Sequence, residues 1–554
     1  MKNYSNKLFS FMLLFGLLWS CEVTDLDLVT DPNAPSPDNL DVDFTLNSIQ
    51  LNFGAFFSEA TEAGGEAVRL EYMFDEYDVN FNNTNGNITT MWSNAYAEVL
   101  PDIQTLIPIA ESSDLYIHAG IAKVIRAYTL MTLVDFFGDV PYTEALLGNE
   151  NSFPTVDSGQ LVYDGALADL NAALADFAKD SSAEPDLDLY YDGDIDSWIN
   201  LTNTLKLKYY LNLRLSNQAA AASNIAALIN GGDIITGPED DFKFTYGTAQ
   251  SPLSKHPYYI EEYQAASPGE YITNYMMWAL GVEKGLDDPR LRFYVYRQVD
   301  EFPSDEATLN NEIDCWNDPR PTTYPPVDAI SAVPLAFCSL FDRGDGYWGR
   351  NHSNADGIPP DNQKRATFGP YPIGGRYDDN DAEAIDDGDG LDGAGIWPIM
   401  MDSFVYFMRA EAALYLGTSD DPRAMLEEGV RASIATVTGF LNTDSFTNVP
   451  DDADIEAYVT FVLGLYDAAG SADERMAVVG KEYWIALFGN GVEGYNLLKR
   501  SGTPINLSPT LLGTSPFPRT FLYPSTSVDR NFNISQKSLT DQTFWDTNSP
   551  GFIY

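Results

Sequence analysis

Basic residues are scarce in this chain. Lys and Arg number 31 against 82 Asp and Glu, for a formal net charge of −51. Affinity for nucleic acid comes largely from Lys and Arg neutralising phosphates, so DNA and RNA are excluded as partners. The same surface repels anionic lipid. Histidine is scarcer still: His118, His256 and His352 stand far apart, which argues against a His-rich metal site and leaves few candidates for imidazole acid–base chemistry. No G-x-S-x-G, H-E-x-x-H, C-x-x-C or P-loop pattern is present, so no motif points to catalysis and none requires a cofactor.

Only three cysteines occur: Cys21, Cys315 and Cys338. Cys21 follows Lys2, Lys7 and the 12-residue apolar run Leu8 to Trp19. That run is shorter than the ~20 residues a spanning helix needs, and it reads as a secretory signal over 1–20. Its end, Leu18-Trp19-Ser20-Cys21, resembles a bacterial lipobox, with Trp19 bulkier than usual at its position. On that reading Cys21 is the lipidated first residue of the mature chain, and acyl chains hold the protein at a membrane. An ordinary signal peptide with an incidental cysteine is the other reading. No other segment reads as long and apolar enough to span a bilayer. Cys315 and Cys338 enclose 22 residues and are a candidate disulfide in an oxidising compartment; two free thiols are the alternative.

What the chain does have is apolar and aromatic material: 44% of its 554 residues are hydrophobic, and 13% are aromatic. A sizeable core follows. Residues 21–50 read as a tether and entry segment, and 51–554 as a single domain. Helical periodicity predicts helices in pairs: 91–110 with 117–137, 161–178 with 198–217, 402–416 with 422–437, and 473–488 with 492–500. Each pair cannot bury its apolar face alone, so the expected fold is mainly α, a TPR-like scaffold of about four pairs over roughly 51–230 and 400–500. Residues 231–399 are richer in Pro, Gly, Asn, Asp and aromatics, and read as a large loop-rich insertion where ligand would bind. An irregular segment, 501–554, closes the chain.

Two constellations in the loops carry chemistry. Asp387, Asp389 and Asp392 lie among Gly turns and are candidate calcium ligands, with a solvated acidic loop as the alternative. The aromatics Tyr77, Phe81, Tyr258, Tyr259, Tyr271, Tyr275, Trp278, Trp316, Tyr347 and Trp348 are candidate ligand-binding residues. A flat ring with a polar tip stacks on the C–H face of a sugar at small entropic cost. Core or loop-anchoring roles are the alternative for any one of them. Arg343, Arg350 and Arg365 form a local basic group within an otherwise acidic chain.

Several short sequences, taken in order, resemble the SusD/RagB family of Bacteroidetes surface lipoproteins. They are Asp31-Pro32-Asn33, the run Val134 to Ala145 (VDFFGDVPYTEA), Asn203 to Lys208, Asp288-Pro289-Arg290, Gly357 to Asp361, Arg409-Ala410-Glu411-Ala412, Lys481 to Phe488, Leu498 to Gly502 and Arg519 to Pro524. Lys499-Arg500-Ser501 departs slightly from the commoner Arg-Arg-Thr pattern. The motifs have structural readings: Gly138 ends a helix that Pro141 cannot continue, and Arg409 and Glu411 read as ion-pair partners. The resemblance implies an outer-membrane, outward-facing lipoprotein that captures an oligosaccharide, breaks no bond, and delivers it to a SusC-like TonB-dependent transporter. A peptide-capturing protein of the same architecture is the alternative. A surface glycoside hydrolase and a purely structural brace are rivals from other classes. No family ligand residue is carried over by position.

Overall fold

The computed structural model describes residues 40–264, 270–301, 345–354, 364–512 and 515–553. The signal and tether readings over 1–39, Cys21, the Cys315–Cys338 pairing, Trp316, Arg343 and the Gly357 to Asp361 motif all lie outside the described residues.

The fold is mainly helical. Helix α1 (Val42–Val68) begins within the stretch read as an entry segment. Its buried Leu46, Ile49, Phe53, Phe56, Phe57, Ala60 and Ala67 follow helical spacing, which the polar run before it disguises. Helix α2 (Gly86–Ser93) passes through a π turn, Asn94–Val99, into α3 (Leu100–Ser112). Then come α4 (Tyr116–Phe137), α5 (Gly159–Phe177), α6 (Ile195–Asn212) and α7 (Gln218–Gly231). After the insertion follow α8 (Asp402–Leu416), α9 (Pro422–Thr438), α10 (Asp452–Ala468), α11 (Ala472–Ala486) and α12 (Gly491–Ser501).

The expected pairs α3–α4, α5–α6 and α8–α9 pack as antiparallel neighbours in sequence. The last pair differs. Helix α10, held by a capping box of Asp451 and Asp454, lies before α11, which packs chiefly on α8 and then on α10. Helix α12 packs chiefly on α1, more than 400 residues earlier. The two approach at glycines: a Cβ on Gly64 would lie 2.3 Å from the Gly491 carbonyl oxygen. Thr61 Oγ1 there accepts from Gly491 N at 2.6 Å and donates to Gly489 O at 3.1 Å. Chain-long closure of this kind carries no local signal.

Helix α4 corrects a second expectation. It is long and apolar enough to cross a membrane by length and composition, yet all of it except Tyr116 and Arg126 is buried inside the protein. It is a core helix, and it carries His118, Lys123 and Asp135 in its buried set. Gly138 caps it at φ 74°, as the sequence anticipates.

The family motifs map onto buried ion networks. Glu411 receives Arg500 Nε at 2.7 Å and Arg500 Nη2 at 2.8 Å, and Arg214 Nε at 2.6 Å. Arg409 pairs instead with Asp420, at 2.8 Å and 2.9 Å. The two motif residues are thus ion-pair members with different partners, because two positions apart on a helix they face different ways. Arg290 binds Asp288 through Nε at 2.8 Å and Nη2 at 2.7 Å, and reaches Glu482 at 3.2 Å.

The insertion returns to its starting point. Strand β1 (Phe242–Thr245) pairs antiparallel with β4 (Ile396–Met400), Phe244 opposite Trp397 and Thr245 opposite Ile396. Between them, β2 (Val295–Tyr296) pairs with β3 (Thr367–Phe368). With few long helices, this region buries aromatic rings in place of helix faces.

Candidate functional site

Most of the candidate rings are inside that region, which corrects the expectation that they line an open surface. Tyr77 stacks on Phe81 at 6.2 Å and meets Phe517 edge-on at 5.6 Å. Phe81 stacks on Phe521 at 4.7 Å. Tyr258 donates to Glu71 Oε2 at 2.7 Å, and Tyr259 lies flat on Tyr263 at 4.6 Å. Tyr275 stacks with Trp278 at 5.7 Å and donates to Asn506 Oδ1 at 2.9 Å. Tyr347 donates to Asp378 Oδ2 at 2.6 Å. These residues belong to the continuous hydrophobic core. Rings so dense must find partners, and polar tips satisfied by carboxylates and amides let tyrosine serve as core.

Tyr271 and Trp348 are buried but stand outside that core cluster. Around Tyr271 a different arrangement forms. The chain leaving α1 turns through Arg69, at φ 65°, and runs on as Leu70-Glu71-Tyr72-Met73-Phe74. Tyr72 meets Tyr271 edge-on at 5.4 Å and Phe74 edge-on at 5.0 Å. Phe74 is 39% exposed, so three rings form a ladder from solvent inward. Two guanidiniums lie over the Tyr271 ring, those of Arg350 and Arg365, each 4.7 Å from its centre. Such cation–π contacts fix a ring's orientation.

The ladder rests on a short bridge between 272–274 and 349–351. Asn274 N donates to Arg350 O at 2.8 Å, Arg350 N to Ile272 O at 3.3 Å, and Gly349 N to Asn274 Oδ1 at 2.9 Å. A Cβ on Gly349 would lie 2.0 Å from Ile272 O, so only glycine permits the approach. Asn274 Nδ2 in turn donates to Asn351 Oδ1 at 2.9 Å. Arg365 Nη2 binds Glu262 Oε2 at 2.5 Å, which also accepts from Thr367 Oγ1 at 2.6 Å.

Behind this lie glutamates whose carboxyls are pushed up toward the protonated form. Glu59, Glu62 and Glu66 fall on one face of α1, at helical spacing, with Glu71 beyond the helix end. Burial pushes Glu66 up to about 8. Burial, then the charge of Glu261, pushes Glu59 to about 7. Glu62, Glu71 and Glu270 are raised well above the ordinary range, first by burial and then by a neighbouring carboxylate, Glu66 for Glu62 and Glu62 for Glu71 and Glu270. A neutral carboxyl donates a hydrogen bond, so the group offers both donors and acceptors.

The acidic loop is built round a cation of the protein's own. Lys255 Nζ reaches Asp387 at 3.0 Å and Asp392 at 2.6 Å, while Asp389 Oδ2 accepts from Asp386 N at 2.9 Å. Among the described residues no group of three or more His, Cys, Asp or Glu is arranged to hold a metal ion. A cavity of about 430 Å³ opens elsewhere, between Leu286–Arg292 and Asn448–Ala457. No aromatic ring lines it, which makes it the weaker site for stacking a sugar. Tyr72 and Phe74, absent from the sequence-level candidates, join the site only through the turn after α1. The run of two aromatics just before Tyr77 was the one available sign.

The class is therefore a paired-helix scaffold whose loop-rich insertion, with the turn after α1, carries an aromatic, guanidinium-flanked site. A SusD-like family model, described as starch-binding and associating with the outer membrane, matches residues 43–327, and the chain belongs to that family. A solved chitin-binding protein superposes with a TM-score of 0.66 at 19% identity, covering 91% of this chain and 99% of that one. A SusD homologue from Bacteroides fragilis gives 0.63 at 18%, covering 92% and 100%. A chitin-binding SusD homologue from Flavobacterium johnsoniae gives 0.60 at 17%, covering 92% and 99%. No curated protein matches the chain.

Proposed function

We propose that the protein is a cell-surface lipoprotein that captures an oligosaccharide and delivers it to a SusC-like TonB-dependent transporter in the outer membrane, without breaking a bond. Membership of a family described as starch-binding and outer-membrane associating carries this reading. The lipobox ending at Cys21 supports the anchor. The ladder Phe74–Tyr72–Tyr271 supports the ligand: Phe74 presents a ring to solvent, and Arg350 and Arg365 hold the ring behind it.

The ligand is tested by affinity electrophoresis in native gels containing amylopectin or glycol chitin, the second polymer prompted by the chitin-binding relatives. Calorimetry with short oligomers of the retarding polymer follows. Phe74→Ala removes an exposed ring, so the variant keeps its fold and loses affinity about tenfold. Peptide binding with no response to any glycan moves the reading to a peptide-capturing lipoprotein. Reducing ends released from either polymer would identify a hydrolase, and the raised glutamates behind the site would be its first suspects.

A further inference from the structure

A second aromatic feature lies in other segments of the chain. Phe153, in the loop between α4 and α5, is 42% exposed, and Phe532, in the C-terminal segment, is 79% exposed. Their rings pack together with centres 4.9 Å apart and planes at 40°. Apolar rings left this open to water are unfavourable, and nothing in helix packing requires them to meet. The loops that carry them are nonetheless clamped. Asn531 Nδ2 donates to Pro154 O at 2.7 Å, and Asn533 Nδ2 to Phe153 O at 2.6 Å, contacts that join positions almost 380 residues apart. Asn151 Oδ1 accepts from Phe153 N at 3.0 Å, and Glu144 Oε2 accepts from Thr155 N and Thr155 Oγ1, each at 3.0 Å. Two rings are thus held out on a base that amides and a carboxylate fix.

That composition selects an occupant. A lipid surface needs a wide apolar face with several basic residues beside it, and here two rings with a single exposed arginine nearby in sequence, Arg530, stand on a chain of net charge −51. A stable protein interface needs an apolar core larger than two rings. A neutral sugar chain needs ring faces for its C–H surface, which Phe153 and Phe532 offer, with a polar side chain beside them for its hydroxyls, which the exposed Asn533 offers.

We propose that Phe153 and Phe532 form a second glycan-contact platform, which holds a further stretch of a polymer whose end or branch occupies the Phe74–Tyr72–Tyr271 site. The proposal rests on the glycan reading above. The platform adds avidity for long chains and none for short ones, because a short oligomer cannot engage both places.

The test compares wild type, Phe153→Ala/Phe532→Ala, Phe532→Ser alone and Phe74→Ala in the amylopectin and glycol chitin gels. Calorimetry with short oligomers of the retarding polymer runs in parallel. The expected result is polymer retention at least about threefold weaker in the double variant, a smaller loss in Phe532→Ser, and oligomer affinity equal to wild type. Phe74→Ala loses both. Since Phe532 contributes little buried surface, Phe532→Ser keeps the wild-type melting temperature even if the double variant does not. Retention of the polymer by Phe532→Ser and the double variant equal to wild type would overturn the platform and leave the glycan reading standing. Oligomer affinity falling together with polymer retention would overturn it as well. Wild type unretarded in both gels would remove the glycan reading and the platform with it.

Discussion

Glu411→Ala unfolds at markedly lower denaturant than wild type, by about 3–5 kcal/mol, while Arg409→Ala two positions earlier costs roughly 1 kcal/mol or less. The contrast follows from burial. Glu411 is fully buried and holds Arg500 and Arg214 at once. Burial alone would raise its carboxyl; Arg500 and then Arg214 outweigh it and keep the group below the ordinary carboxylate range. Removing the glutamate leaves two buried guanidiniums facing each other without their counter-charge. Their net cost exceeds the value of the pair itself, because desolvation is no longer offset. Arg409 and Asp420 are partly exposed, and water replaces the lost partner. Urea unfolding of the two variants checks this; equal midpoints would show that the network adds nothing. The result matters for function, since Arg500 lies on α12 and Glu411 on α8, so the network joins two helices of the scaffold that carries the loops.

The share of stability that Glu66 contributes falls as pH rises from about 5 to 9, and Glu66→Gln removes that fall. In the unfolded chain a glutamate titrates near 4.3. In the fold Glu66 titrates near 8. Between those values the folded state binds more protons than the unfolded one, so unfolding releases a proton and stability falls with every step upward in pH. The contribution is intact below the unfolded value and lost as pH passes the folded value. The glutamine variant mimics the protonated form, and Asn80 Nδ2, which donates to Glu66 at 2.9 Å, keeps an oxygen to bond. Little difference is expected near pH 4.5. At pH 9 the variant is the more stable, by at most about 5 kcal/mol, the free energy of a shift from 4.5 to about 8. Glu62 gains as well, since Glu66 is the first of the charges that raise it. Chemical unfolding at several pH values measures the slope; parallel curves for the two proteins would mean that Glu66 is ionised in the fold. Overall charge repulsion acts in the same direction but is common to both proteins, so the difference isolates the glutamate face.

Much of the scaffold was legible because its signals are local. Gly138 and Pro141 announce the end of α4, and the spacing of Val405, Met408 and Ala412 announces α8. The order of short motifs also carried the family. The site was less legible. Tyr258, Tyr259 and Tyr275 have the composition of a binding surface, yet each puts its hydroxyl on an internal acceptor and its ring in the core. Composition does not distinguish a ring that meets ligand from one that meets Glu71. That Asp387 and Asp392 share Lys255 was not legible, because Lys255 stands more than 130 positions away.

Local patterns by themselves determined the helical class, the acidic composition and the family, since charge, periodicity and motif order act over a few residues at a time. Only the tertiary structure decided that α12 packs against α1, that α4 is core, and that Tyr72 links Phe74 to a Tyr271 ring flanked by two arginines. Those contacts join segments tens to hundreds of residues apart, and burial and close approach exist only once the chain has closed on itself.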